Sequence, residues 1–221
     1  MLLELEHVWR TYQVGDEVVV ALRDANVRIE PGELVSVVGP SGSGKSTFLQ
    51  LVGLLDSPSA GSIRFDSRDV GSLADRQRTA IRLEELGFVF QRFHLLNHLT
   101  ALDNVMLPME AAGVDFERRY LRATEILTSV GMRDRMMFRP SQLSGGQRQR
   151  VAVARAVANS PSVILADEPT GELHTEDKQR VLDLFRGLNR EGRTVVVVTH
   201  DADVASAASR RIEIRDGVLH G

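Results

Sequence analysis

Leu34-Val35-Ser36-Val37-Val38-Gly39-Pro40-Ser41-Gly42-Ser43-Gly44-Lys45-Ser46-Thr47-Phe48-Leu49-Gln50-Leu51 decides how this chain is read. Leu34 to Val38 is a short apolar, β-rich run and predicts a buried strand. Phe48 to Leu55 has apolar spacing that suits a helix. Between them, Gly39 to Thr47 fits G-x-x-x-x-G-K-[ST], the spacing of a phosphate-binding loop in its proper strand–loop–helix setting.

That chemistry needs these residue types. Gly39, Gly42 and Gly44 let the backbone bend where a Cβ would clash, so that past Pro40, which has no N–H, the successive N–H groups of Ser41-Gly42-Ser43-Gly44 and beyond turn inward. The following helix adds unpaired N–H groups and the positive end of its dipole, for which a phosphate supplies acceptors. Lys45 is expected to reach the β- and γ-phosphates, and the Ser46 hydroxyl to ligate Mg²⁺.

Composition narrows the field. The 221 residues suffice for one large domain or a domain with a subdomain. An apolar content of 43% with 26% charged residues describes a soluble globular chain. A net charge of -3 gives no case for nucleic acid as a partner. The absence of cysteine excludes disulfides and thiolate metal sites. Met1 to Arg10 reads as a strand carrying charges and not as a signal peptide. Apolar runs such as Val195 to Val198 are far too short to span a membrane, so any span must come from other chains. Of 27 basic residues only Lys45 and Lys178 are lysine, and one of them stands where a phosphate loop demands it.

Along the chain, Leu2 to Trp9 predicts a strand, with Tyr12 in a turn after it. Glu17 to Leu22 and Ala25 to Ile29 predict two more strands. These, with Ser62 to Phe65 and an Ile212 to Leu219 hairpin turning at Asp216-Gly217, predict an antiparallel β-subdomain. Asp75 to Glu85 reads as a helix and Gly87 to Gln91 as a strand. From about residue 93 to 160 the pattern becomes helical. Thr100 caps a helix through Met106, Asp115 to Val130 forms another, and Gln147 to Ala158 a third. Val163 to Ala166 and Thr194 to Val198 read as buried strands, alternating with helices over Thr175 to Asn189 and Asp201 to Ala208. That alternation predicts an α/β chain with a parallel sheet.

Two further groups carry chemistry. Asp167 and Glu168 directly follow the Val163 strand, and ligands of open α/β sheets bind beyond the carboxyl ends of strands. Asp167 suits the Mg²⁺ shell. Glu168 suits orienting and deprotonating the water that attacks a γ-phosphate. Leu143-Ser144-Gly145-Gly146-Gln147 places a capping serine and two glycines at a helix start, making a second anion surface. A bound nucleotide has its γ-phosphate open on one side only. A second such surface makes sense if it closes over the nucleotide of another copy.

With these residues in view, the chain resembles the ATP-binding-cassette (ABC) ATPases over nearly its whole length. Leu143 to Gln147 matches their signature, Gly39 to Thr47 their Walker A loop, and Val163 to Glu168 their Walker B strand. The resemblance implies one cassette over residues 1–221: a phosphate-loop NTPase of the RecA/F1-like kind, with an antiparallel β-subdomain and a helical subdomain inserted at about 93–160. It implies ATP and Mg²⁺. It implies that Tyr12 stacks on adenine, that Gln91 touches Mg²⁺ and signals to membrane partners, and that His200 bonds the γ-phosphate. Alone, Tyr12 is more often packing than stacking, Gln91 is usually a polar surface residue, and His200 could simply cap a helix.

Gly53-Leu54-Leu55-Asp56, Gly87 to Gln91 with Phe93-His94-Leu95-Leu96, and Glu168-Pro169-Thr170-Gly171 are similar to the lipoprotein-release and macrolide-efflux cassettes. Those serve mechanotransmission-type membrane subunits, and the cell-division cassette is a close relative. The implied assembly is a dimer, of two copies or with a related cassette, on transmembrane permease subunits at the cytoplasmic face of a bacterial membrane. A regulator that moves no substrate stays open. A DNA-repair type needs a coiled coil, a ribosomal type two cassettes, and a GTPase an Asn-Lys-x-Asp reader, none of which the sequence holds. One departure is Leu173-His174, where the family carries Leu-Asp at the loop that joins the two sites. Altered coupling or slower turnover is the expectation there, beside a tolerated local change.

Overall fold

A computed structural model of the chain describes residues 2–221, and Met1, at the head of the predicted first strand region, lies outside them. Two long strands, β1 (Leu3–Val14) and β2 (Glu17–Ile29), form a hairpin. Then follow β3 (Leu34–Val38), α1 (Lys45–Val52), β4 (Ala60–Phe65), β5 (Arg68–Asp69), α2 (Asp75–Glu84) and β6 (Leu86–Phe90). The middle of the chain is α3 (Ala101–Ala111), α4 (Phe116–Ser129) and α5 (Gly145–Ala156). It closes with β7 (Val163–Asp167), α6 (Thr175–Arg190), β8 (Thr194–Val198), α7 (Ala202–Ser206), β9 (Arg210–Arg215) and β10 (Val218–His220).

The strands build two sheets. One is antiparallel, in the order β2-β1-β4-β5. The other runs β10-β9-β3-β8-β7-β6, parallel except for the edge strand β10. The uninterrupted apolar runs of the parallel sheet have a direct cause. In β7, Val163 and Leu165 face one core while Ile164 and Ala166 face the other. In β8, Val196 and Val198 oppose Val195 and Val197 in the same way. Both faces are covered, so β3, β7 and β8 are apolar up to Asp167 at the end of β7, except for Ser36 and Thr194, whose hydroxyls are hydrogen-bonded. The first core joins this sheet to α1 and the antiparallel sheet through Phe48, Leu51, Leu3 and Ile29. The second joins it to α3, α4, α5 and α6 through Val105, Leu127, Val151 and Phe185. Each fully buried Val, Leu or Phe contributes roughly 1.5–3 kcal/mol, so these layers fix where the strand ends lie.

Several expectations need correction. Tyr12 lies inside β1, not in a turn, because the hairpin bends later, at Gly15. Glu17 to Ile29 is one strand, not two; the irregularity at Asp24, whose φ is +44°, is absorbed by register shifts against β1. The C-terminal hairpin joins the parallel sheet, because β9 pairs alongside β3. It only touches the antiparallel sheet, where Arg23 N donates to Gly217 O at 2.8 Å. α1 stops at Val52, capped by Gly53, and α3 runs past Met106 to Ala111 with Pro108 inside it. Among the described residues, no helix is long and apolar enough to cross a membrane.

Candidate functional site

Four neighbouring parallel strands bring their carboxyl ends to one cleft. β3 runs into the glycine loop, β6 ends one residue before Gln91, β7 delivers Asp167 and Glu168, and β8 delivers Thr199 and His200. The cleft has a volume of about 430 Å³, within the ~300–1,000 Å³ of small-molecule sites. Ser41, Gly42, Gly44, Lys45, Ser46 and Thr47 line it, with Gln91, Asp167, Glu168 and His200 opposite and Val19 to Ala21 of β2 at its rim.

The loop geometry follows from Gly44. Its φ is +108°, and a Cβ there would run into the carbonyl of Ala21. Gly44 is also the N-cap of α1 and brings no side-chain hydrogen bond, so the first-turn N–H groups carry no side-chain cap. The Lys45 ammonium arches back over the loop, donating to Gly39 O at 2.9 Å and Pro40 O at 2.8 Å. An ammonium has three protons, and these bonds use two. The Ser43 side chain is buried inside the loop.

Glu168 is held more tightly than its neighbours. Its φ of +44° is unusual for a residue with a side chain, a conformation costing roughly 1–2 kcal/mol. Glu168 N donates to Val198 O at 2.9 Å and Gly171 N to Glu168 O at 3.1 Å, which fixes the bend. One carboxylate oxygen accepts from the Thr199 hydroxyl at 3.2 Å. The other lies 2.7 Å from His200 Nδ1. The imidazole is mostly exposed and lines the cleft. Burial pushes the Asp167 carboxyl above the ordinary aspartate value. The neighbouring Glu168 charge adds to this and the Lys45 ammonium opposes it. Ser46, Asp167 and Gln91 offer only oxygen ligands, the donor set a hard cation such as Mg²⁺ takes.

Behind Gln91, Phe93 and His94 both have left-handed backbones, at φ +60° and +48°. Arg155 of α5 donates to both carbonyls, at 2.9 Å and 2.6 Å. Arg148 of α5 lays its guanidinium over the Phe93 ring at 4.9 Å. Burial lowers the affinity of Arg155 for its proton.

The remaining predicted residues stand elsewhere. Ser144 to Gln147 do not line the cleft. Ser144 caps α5: its hydroxyl accepts from Gln147 N at 3.2 Å, while Gln147 Oε1 accepts from Ser144 N at 2.9 Å. Gly146 packs against the Asp177 carboxylate of α6, in space a Cβ would occupy. Tyr12 lies in register with Val19, which lines the cleft. His174 is the N-cap of α6 and makes no side-chain cap bond. Lys178, the second lysine, pairs with Asp201 and Asp203 of the α7 turn, a structural tie. Sequence reasoning missed Thr199, although it sits at the end of β8 by the same logic that found Asp167. Asp56 entered the sequence reading only as the end of Gly53-Leu54-Leu55-Asp56, with no role given to it, and nothing marked Arg10 or Arg155.

The ABC transporter family model matches residues 22–171, from the middle of β2 to just past the acid pair. The chain belongs to the ABC transporter family. The cassette is 48% identical over 220 residues to an uncharacterized ABC transporter ATP-binding protein of Thermotoga maritima, covering 100% of this chain and 94% of that protein. It is 50% identical over 217 residues to the macrolide export ATP-binding/permease protein MacB of Rhodopseudomonas palustris, covering 98% of this chain but 33% of that protein. The chain therefore spans about a third of its MacB-type relatives. Among solved structures it is similar to the ATP-binding cassette MJ0796 in a dimeric post-hydrolysis state bound to ADP and Pi. The TM-score is 0.93 at 44% identity, over 100% of this chain and 97% of that one. The fold is thus that of an α/β phosphate-loop NTPase, and the chain is an ABC-type ATPase cassette.

Proposed function

We propose that two copies of this cassette, or this cassette and a related one, close head to tail around two ATP molecules. Each nucleotide then lies between the Gly39 to Thr47 loop of one chain and the Ser144 to Gln147 helix start of the other. One observation carries this reading: the cleft gathers every charged group of the predicted site, while the second anion surface, at the start of α5, is no part of its lining on the same chain. The dimeric state of the MJ0796 cassette supports it.

In this reading Lys45 bonds the β- and γ-phosphates and the amides of the α1 start bind their oxygens. Ser46, Asp167 and Gln91 would hold Mg²⁺, which would neutralise charge on the phosphate oxygens. Glu168 orients the attacking water and takes its proton, with Thr199 and His200 fixing its two oxygens. His200 offers its other nitrogen to the γ-phosphate. Catalysis of this reaction is mostly positioning and charge stabilisation, which suits a carboxylate held at both oxygens. The whole chain acts as one cassette, with the helices between about 93 and 160 as the arm that reaches transmembrane permease subunits at the cytoplasmic face of a bacterial membrane. The MacB-type relatives, named for macrolide export, favour export over a regulator without cargo.

Glu168→Gln tests the assembly. The variant is expected to bind ATP, lose turnover by about 100-fold or more, and elute as a stable dimer with ATP and Mg²⁺. A variant that binds ATP yet stays monomeric at every concentration contradicts the shared-pocket model.

A further inference from the structure

The ring of Tyr12 is braced by two residues outside the cleft. Its hydroxyl donates to Asp56 Oδ2 at 2.9 Å. Arg10, two residues earlier on β1, meets Asp56 Oδ1 at 2.8 Å. The Arg10 guanidinium also sits over the Tyr12 ring, 4.5 Å from its centre. One carboxylate therefore holds the edge of the ring and the cation that covers its face. Both charged side chains are largely buried, at 22% exposure each, so the pair is not a loose surface contact.

Asp56 is itself fastened to the phosphate-binding helix. Its backbone N donates to Gln50 O of α1 at 3.2 Å. Its carbonyl accepts from Arg78 of α2 at 2.8 Å, and its Oδ1 from Ser57 N at 2.7 Å. Arg82 of α2 donates to Leu54 O at 2.8 Å in the same turn. The contacts run unbroken from the ring of Tyr12 through Asp56 to α1, whose first turn carries Lys45 and Ser46. On the other side, Tyr12 faces Val19 across the hairpin, and directly opposed residues of antiparallel strands share a face.

We propose that Asp56 and Arg10 are positioning residues for the base: they hold the Tyr12 ring at a fixed offset from the phosphate-binding helix, so that an aromatic base attached to a triphosphate meets a preset platform. This rests on the reading of the cleft as a nucleoside triphosphate site. Stacking is tolerant of base identity, because every base has a π-face. The brace therefore strengthens binding of ATP and GTP alike, and contributes nothing to a triphosphate without a base.

The test is calorimetric titration of the whole chain, with Mg²⁺, by ATP, GTP and inorganic tripolyphosphate. Asp56→Ala and Tyr12→Ala are each expected to weaken both nucleotides about tenfold, with tripolyphosphate unchanged within about twofold. The double variant is expected to lose little more than either single one, since both act through one ring. Asp56→Asn keeps an acceptor for the Tyr12 hydroxyl and is expected to fall between wild type and Asp56→Ala; it also serves should Asp56→Ala fold poorly. Equal loss of ATP and tripolyphosphate in the Asp56 variants would make Asp56 a prop of α1 only and overturn the proposal. So would unchanged ATP affinity. If the wild type binds nucleotides but Lys45→Ala still binds tripolyphosphate, the cleft assignment fails and the brace with it.

Discussion

The starts of α1 and α5 are built from similar residues and finished differently. α1 follows a glycine-rich loop and α5 carries two glycines, Gly145 and Gly146, in its own first turn, and both present the amides of that turn. α1 begins at Gly44 with no side-chain cap, and Lys45, Gln91, Asp167, Glu168 and His200 surround the space before it. α5 begins at Ser144, closes its cap with Gln147, and has none of those groups beside it. Its seat is fixed by other means: Asp177 against Gly146, and Arg155 holding the loop after Gln91. The difference teaches that an exposed helix start is a site only when the surrounding strands supply charge and reactive groups. In the proposed dimer the α5 start acts as a lid over the other chain's nucleotide.

The sharpest way to break the comparison is to damage each helix start. Lys45→Ala is expected to weaken ATP binding by about 100-fold, the worth of strong charge-assisted bonds. Ser144→Arg is expected to leave ATP affinity within about twofold while cutting turnover at least about tenfold by blocking closure. Titration calorimetry and steady-state hydrolysis read the two effects. If Ser144→Arg loses ATP binding as Lys45→Ala does, the two starts are not different in kind.

A smaller effect separates the charge within the cleft from the fold that carries it. The Asp167 carboxyl binds its proton more tightly in the folded chain, mainly because it is buried. A raised carboxyl pKa means that the folded state binds more protons, so this group's contribution to stability falls as pH rises from its unfolded value of about 4 through its folded value. Asp167→Asn removes that cost. Its Tm without nucleotide is expected to match wild type at low pH and exceed it by about 2–4 °C near neutrality, while the Mg²⁺ needed for half-maximal turnover rises. A Tm gap independent of pH across that window would contradict the assignment.

The smallest expected effect concerns His174. It occupies the N-cap of α6 without capping it. His174→Asp supplies an acceptor for the first-turn amides, worth about 1 kcal/mol, or roughly 2–4 °C in Tm. If hydrolysis rate and cooperativity rise with it, the loop also serves coupling between the two chains. If only Tm rises, the histidine is a local change.

The parallel sheet was legible because its strands are buried on both faces, which leaves apolar runs such as Val163 to Ala166 no other reading. The cleft residues were legible for a related reason: they follow those runs immediately. Thr199 obeyed the same rule and could have been found. The fate of the C-terminal hairpin was not legible, since Ile212 to Leu219 pairs as well with one sheet as with the other until β3 offers it an edge. Asp56 and Arg155 act across 44 and 61 or more residues of chain, through bonds to a hydroxyl and to carbonyls that no spacing rule announces.

Gly146 has a last implication for anyone probing the pentapeptide. The α6 carboxylate already occupies the room that even one methyl group would take. Alanine there forces the Asp177 carboxylate of the same chain to move before any neighbour arrives. Loss of activity in that variant would report a displaced Asp177, whereas Ser144 is exposed and can be replaced without entering that space, at the cost of its cap bond to Gln147 N.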